Sequence, residues 1–352
     1  MGVETQDLAS LHPYFCEPLQ CATIRIHTFP NQIIVPISIP SQTMNNSRRN
    51  FLKKSALATA AAVAAPGIVS AATKDDPEIQ TGQFRLKYAP SIGMFRASAG
   101  DDPIDNIKFC HDQGFRAVFD NGLMNRTPVM QDRIAYELDL LGMDLGPFVL
   151  YADFSITSFV TNDPEKRKML MDRMKEGVAV AKRTKAKWAL VVPGRYDEKL
   201  HWDFQTANVI DNLRFCAEIL EAAQLTMVLE PLNTLKNHPG LFLTGIPQTY
   251  AICRAVNNPY VKIVNDLYHQ QITEGNLIPN LVDAYDEIAA FHLGDNPGRK
   301  EPTSGEINYK NIFKVISEMG YDGTLCMEHG KTVGGKEGDQ KVIAAYRECD
   351  SF

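Results

Sequence analysis

The chain has 352 residues, 44% of them hydrophobic and 22% charged, with a formal net charge of −6. This is the composition of a globular protein rather than a disordered or membrane-embedded one. The acidic excess argues against a nucleic-acid surface, which needs clustered Lys and Arg to neutralise phosphates.

The N-terminal segment reads as a targeting signal. Ser47-Arg48-Arg49-Asn50-Phe51-Leu52-Lys53 precedes an Ala/Val-rich run from Ala56 to Val69, then Ser70-Ala71-Ala72. Paired arginines, a moderately apolar stretch and small residues at a cleavage site make 44–72 a twin-arginine signal, addressed to the Tat export machinery. The run is too short and too alanine-rich for a stable span. The expected location is periplasmic or otherwise extracytoplasmic, reached already folded, which suits a protein that takes up a metal first. Residues 1–43 resemble neither a signal nor a domain. Translation is expected to start at Met44, leaving 1–43 as a gene-model artefact or a disordered segment; an unusually long n-region is the alternative. The folded part is expected to be a single domain over 73–352.

From Phe84 onward β-prone and helical patterns alternate. The first strand is expected at Arg85–Ala89, then a helix at Pro103–Gln113 closed by Gly114. Strands at Arg116–Asp120 and Asp144–Tyr151 flank a helix at Thr127–Leu141. A long helix over Asp163–Thr184 begins well at Asp163-Pro164. The remaining strands fall at Lys187–Val192, Leu225–Leu229, Val261–Asn265, Ile288–Leu293 and Gly323–Met327. The helices between and after them fall at Trp202–Ala223, Pro247–Val256, Leu277–Tyr285, Tyr309–Met319 and Glu337–Arg347. Eight β-then-α units predict an α/β fold, a single-domain (β/α)₈ TIM barrel, preceded by the cleavable signal segment. An open doubly wound sheet would need a Gly-rich phosphate loop after an early strand, and no GxGxxG or P-loop is present. The seven cysteines have no CxxC spacing and read as small buried hydrophobes rather than a disulfide or zinc framework.

Four strand ends deliver metal-capable side chains: Glu230, Asp266, His292 and Glu328. In a barrel of this kind the C-terminal strand ends build the active site, so these four become neighbours. Singly, a glutamate there is an ordinary cap and His292 an ordinary core histidine; four at one phase of the repeat point to one site. Three carboxylates and an imidazole suit a hard or borderline divalent cation, Mg²⁺ or Mn²⁺ first, then Co²⁺ or Zn²⁺. A cation bound to adjacent carbonyl and hydroxyl oxygens acidifies the C–H between them. Glu230 and Glu328 form the natural opposed pair for removing and returning that proton through an enediolate. His269 and Arg299 are candidate substrate-binding residues, Arg299 through its two-donor fork; the alternatives are a hydrogen bond behind a ligand for His269 and a loop ion pair with Glu301 or Glu306 for Arg299. Lys236 and His238 are candidates for a lid.

Glu230-Pro-Leu-Asn233, Leu243-Thr-Gly245, Asp266-Leu-Tyr-His269, Gly294-Asp-Asn-Pro-Gly-Arg299 and Glu301-Pro-Thr-Ser-Gly-Glu-Ile-Asn-Tyr309 resemble, in order and spacing, signatures of the hydroxypyruvate isomerase branch of the xylose isomerase-like barrel superfamily. The resemblance runs from about Arg85 to Glu328 and is dense after Leu225. It implies the same four metal ligands, Glu230 and Glu328 as proton-transfer bases, and His269 and Arg299 as substrate contacts. Two features depart from that branch. Position 292 is His, as in the superfamily's ketose 3-epimerases, where bacterial hydroxypyruvate isomerases carry Gln. The loop Thr234–Pro239 is one residue longer and has Lys236 where an acidic residue is usual.

The sequence therefore predicts an exported metal-dependent isomerase or epimerase acting on a small keto-sugar or hydroxy-keto acid. A metal-dependent lyase or hydrolase on 3-keto-glycosides, and a non-catalytic periplasmic sugar-binding protein, are the alternatives. A DNA-repair endonuclease would need more metal-ligating histidines and a basic face. No nucleic-acid partner is expected, and a homo-oligomer is compatible with the fold.

Overall fold

A computed structural model describes residues 82–352; the twin-arginine segment and the residues before it lie outside the described residues. Among the described residues the strands are β1 Lys87–Pro90, β2 Ala117–Val118, β3 Asp144–Leu145, β4 Phe148–Ala152, β5 Trp188–Val192, β6 Thr226–Leu229, β7 Val261–Asp266, β8 Ile288–Leu293 and β9 Thr324–Met327. Seven of them hydrogen-bond in the order β1-β9-β8-β7-β6-β5-β4, and β2 pairs with β3. Every pairing is parallel. Two links join the pair to the larger sheet. Phe119 N–H donates to Pro90 O at 3.1 Å and Ile92 N–H to Phe119 O at 2.9 Å, while β3 runs on into β4. The result is a TIM-barrel-like parallel α/β fold.

The expected third strand, 144–151, is two strands, broken at Gly146-Pro147. Pro147 has no N–H for the ladder. A Cβ at Gly146 would stand 2.7 Å from Cys326 Sγ and 2.9 Å from Phe119 Cβ, so only glycine lets the chain pass there.

Helices cover the outside: α1 Pro103–Asp112, α2 Pro128–Leu141, α3 Pro164–Thr184, α4 Trp202–Glu221, α5 Ile246–Val256, α6 Leu267–Thr273, α7 Leu277–Ala284, α8 Tyr309–Glu318 and α9 Gly335–Cys349. The first three start alike, with proline in the first turn behind a capping side chain, Asp102, Thr127 or Asp163, that accepts a backbone N–H. Each such cap contributes about 1 kcal/mol. Helix α6 was not expected as a helix; it begins directly at the end of β7 with no intervening loop. No helix among the described residues is long and apolar enough to cross a membrane.

The pleat sorts side chains into two layers. Met227, Leu229, Ile263, Phe291, Leu293, Leu325 and Met327 point outward into the layer under the helices. Leu190, Val192, Val228, Val264 and Ala290 form a separate inner cluster. Each fully buried aliphatic side chain is worth about 1.5–3 kcal/mol, so a register slip that exchanged the layers would be prohibitive. Cys110, Cys216, Cys253, Cys326 and Cys349 are free and buried, as expected; Cys16 and Cys21 lie outside the described residues.

Candidate metal centre

The same period-two rule places the site. On β6 the inward series runs Val228 then Glu230; on β7, Val264 then Asp266; on β8, Ala290 then His292; on β9, Cys326 then Glu328. On all four strands the next inward position beyond the inner apolar layer carries a ligand-type side chain. Register aligns them further, since Asp266 is the Cα partner of His292 and His292 of Cys326. One donor atom from each of Glu230, Asp266, His292 and Glu328 lies within 4.8 Å of the others. All four predicted ligands are therefore brought together.

Their hydrogen bonds show a site short of positive charge. His292 Nδ1 lies 3.1 Å from Glu230 Oε1 and 3.0 Å from Glu328 Oε2. Arg299 donates one nitrogen to both Asp266 Oδ2, at 2.8 Å, and Glu328 Oε2, at 2.6 Å. Asn121 donates to the other Glu328 oxygen. The second Asp266 oxygen caps α6, accepting from Tyr268 N–H at 2.8 Å and His269 N–H at 3.1 Å. Burial disfavours the imidazolium, but Glu328, Cys326 and Glu230 outweigh it and hold His292 well above its ordinary pKa. Burial likewise opposes ionisation of Glu328, yet His292 and the Arg299 guanidinium keep its carboxyl well below the usual range. For Glu230 burial wins, against the pull of His292, and pushes the carboxyl up to about 7. The donor set, three carboxylates and an imidazole with no thiolate, fits a hard or borderline divalent cation.

The two predicted substrate contacts are both present, in different settings. Arg299 pairs with neither Glu301 nor Glu306; its fork is turned onto the metal-type carboxylates, and its guanidinium lies 5.0 Å from the Tyr268 ring centre. Its backbone is in the left-handed region (φ 52°), held by Arg299 N–H to Asp295 O and Gly330 N–H to Arg299 O. Its side chain crosses Gly294, where a Cβ would stand 2.9 Å from Arg299 Cγ. His269 is fully buried, its Nδ1 accepting the Asn233 backbone N–H at 3.2 Å and its Nε2 3.7 Å from Asp266 Oδ2. Burial lowers it to about 4, so it stays neutral beside Asp266. His329 turns away, stacked on Tyr346.

Three participants escaped the sequence reading. Asn121 follows β2 and donates to Glu328; as a neutral amide it is not among the metal-capable side chains sought at strand ends. Tyr309 clamps the loop that carries Arg299: its hydroxyl donates to Gly294 O at 2.8 Å and accepts Gly294 N–H at 2.9 Å. Asp295 accepts Gly305 N–H at 2.8 Å and Ile307 N–H at 3.0 Å. Much of the Gly294–Tyr309 signature is thus the frame of one loop.

Residues 107–349 match the sequence profile described as the xylose isomerase-like TIM barrel. Hydroxypyruvate isomerase of Escherichia coli (strain K12) is 35% identical over 136 residues, 39% of this chain and 50% of that protein. The 2-oxo-tetronate isomerase of Cupriavidus necator is 35% identical over 132 residues, 38% of this chain and 50% of that protein. The chain thus spans about half the length of these curated relatives. Among solved structures, the AP endonuclease, family 2, from Brucella melitensis superposes with a TM-score of 0.62 at 22% identity, covering 72% of this chain and 96% of that one; at this identity the likeness is one of fold.

Proposed function

The chain belongs to the xylose isomerase-like TIM barrel family, and we propose that it is an exported, metal-dependent isomerase or epimerase of keto-sugars or hydroxy-keto acids. One observation carries the reading: Glu230, Asp266, His292 and Glu328, each from the end of a successive strand, converge within 4.8 Å. The relatives named as isomerases support it, and the twin-arginine segment supports export. A divalent cation, Mg²⁺ or Mn²⁺ first, held by these four side chains would polarise the substrate's carbonyl and acidify the adjacent C–H. The chain's own residues do the rest.

Glu230 and Glu328 flank His292 Nδ1, and their environments push their proton affinities apart. Such a pair divides the labour of base and acid. One glutamate takes the proton from the carbon beside the carbonyl. The other returns a proton, to the neighbouring carbon for isomerisation or to the opposite face of the same carbon for epimerisation. Asn121 and Arg299 hold the Glu328 carboxylate in line, and α6 fixes Asp266 through the Tyr268 and His269 N–H groups of its first turn.

The test is solvent-isotope exchange followed by NMR. Mn²⁺-loaded protein in D₂O, given hydroxypyruvate, ketoses and 3-keto-glycosides, exchanges the hydrogen next to the carbonyl of its substrate, and Glu328→Gln does not. Binding without exchange for every compound would refute the proposal and favour a binding protein.

A further inference from the structure

Asn233 lies just beyond Glu230, fully buried, and is not one of the four metal-type side chains. Its amide is oriented from both ends. Oδ1 accepts the backbone N–H groups of Lys236, at 3.0 Å, and Asn237, at 3.1 Å, so that atom is the oxygen. Nδ2 then directs its two protons to Asn237 Oδ1, at 2.9 Å, and His269 Nδ1, at 2.6 Å. The Asn233 backbone N–H reaches the same ring nitrogen at 3.2 Å.

A ring nitrogen that receives two N–H donors carries a lone pair and no proton. That excludes both the imidazolium and the Nδ1–H tautomer, and it leaves the proton of a neutral ring on Nε2. Nε2 is buried and has no hydrogen-bond partner among the described residues. Asp266 Oδ2 stands 3.7 Å away, beyond hydrogen-bond length, and is already held by Arg299 at 2.8 Å. Buried donors are nearly always satisfied, so this N–H beside a metal-type carboxylate marks the place of a ligand oxygen.

We infer, building on the enolisation reading above, that Asn233 is a positioning residue: it sets the tautomer of His269, so that a neutral Nε2–H faces a substrate oxygen at the metal centre. Such a donor is worth more as negative charge gathers on that oxygen in the enediolate, and it adds no second cation beside the metal. The opposite tautomer would turn a lone pair on the same oxygen. The amide also builds the turn of the loop Thr234–Pro239, whose Asn237 accepts the Tyr268 hydroxyl at 3.2 Å. One side chain therefore sets both the loop and the ring.

The test is Asn233→Asp, which turns an acceptor on Nδ1 while its other oxygen still accepts the Lys236 and Asn237 N–H groups. Long-range ¹H–¹⁵N correlation on metal-free, histidine-labelled protein reads the tautomer, with His269 assigned by the signals lost in His269→Gln. Wild type should have Nε2 protonated and Nδ1 bare, and the variant should have Nδ1 protonated. With Mn²⁺ and the best substrate of the panel above, kcat for exchange should fall about 100-fold in the variant, the effect of losing one such donor. KM and Mn²⁺ affinity should change less than about twofold, as for an interaction made mainly in the transition state. The amide of His269→Gln donates whatever faces it, so Asn233→Asp should cost little more in that background. A wild-type Nδ1–H, or an unchanged kcat in the variant, would overturn the inference. So would an equal loss of kcat in both backgrounds, which would make Asn233 a loop-building residue only. A parallel loss of Mn²⁺ affinity would overturn it too, because Nε2–H would then serve Asp266 and not the substrate. No exchange by wild type with any compound would refute the enolisation reading, and the donor role with it, whatever the spectrum shows.

Discussion

Arg299 stands in for a cation, and its removal should be felt mainly when no metal is present. The guanidinium holds Asp266 at 2.8 Å and Glu328 at 2.6 Å, with its side chain 28% exposed. Removing one partner of a fully buried ion pair destabilises a protein by about 3–5 kcal/mol. Partial exposure of Arg299 reduces that to roughly 2–3 kcal/mol, since solvent screens part of the interaction. For a domain of this size 1 kcal/mol moves Tm by about 2–4 °C, so Arg299→Met should melt roughly 4–12 °C below wild type in EDTA. Saturating Mn²⁺ supplies the missing charge, and binding to the folded state alone adds stability as RT ln(1 + [L]/Kd). The Mn²⁺-induced rise in Tm, read by scanning calorimetry, should therefore be larger for the variant than for wild type. An equal deficit with and without metal would refute the reasoning, because Arg299 would then be an ordinary loop residue.

Three other outcomes follow from the same geometry. His292 is held protonated by its carboxylates, and the Glu230 carboxyl is raised to about 7; a ligating imidazole must be neutral and a ligating carboxyl ionised, so metal loading at pH 7 should release between about one and two protons per ion; calorimetric titration in PIPES and in Tris should differ by the buffers' ionisation enthalpies, and identical enthalpies would contradict it. Burial holds His329 down at about 4 against roughly 6.5 when unfolded, so the unfolded chain binds more protons between those values. Its contribution is present above about pH 6.5 and is lost as pH falls toward 4. His329→Phe, which keeps the ring stack on Tyr346, should therefore show a shallower loss of urea midpoint from pH 7 to pH 4 than wild type; parallel curves would dismiss the argument. Gly294→Ala puts a methyl 2.9 Å from Arg299 Cγ. Displacing that side chain should lower kcat about tenfold to a hundredfold with an unchanged circular dichroism spectrum, and full activity would show that the crossing does not matter.

The strand ends were legible because two periodicities coincide at them. A β-prone run announces the strand, and the pleat makes its inward C-terminal residue a site residue whatever the loop does; Glu230, Asp266, His292 and Glu328 follow from that alone. The break in the third strand was less visible, since it depends on Gly146 passing Cys326 and Phe119, residues distant in sequence. Helix α6 was hidden because Asp266 both ends β7 and caps the helix, so no turn residue marks the boundary. The setting of Arg299 was not legible either. Its residue type fits a substrate carboxylate, but its direction is decided by the left-handed backbone at 299, the open Cα of Gly294 and the Tyr309 clamp. Asn121 carries no charge and sits beyond a strand only two residues long, so nothing local sets it apart.

The central claim is that four strand ends make one metal centre, and its most direct test is a Mn²⁺ titration followed by electron paramagnetic resonance. Chelated, refilled wild-type protein should bind one ion per chain, seen as loss of the free-ion spectrum. Asp266→Asn and His292→Ala should each weaken binding by at least the 10–100-fold typical of losing even an outer partner of a metal site. Asn125→Leu, outside the four-ligand cluster, should bind as wild type does. Absence of a stoichiometric site, or an affinity indifferent to Asp266 and His292, would contradict the account at its base.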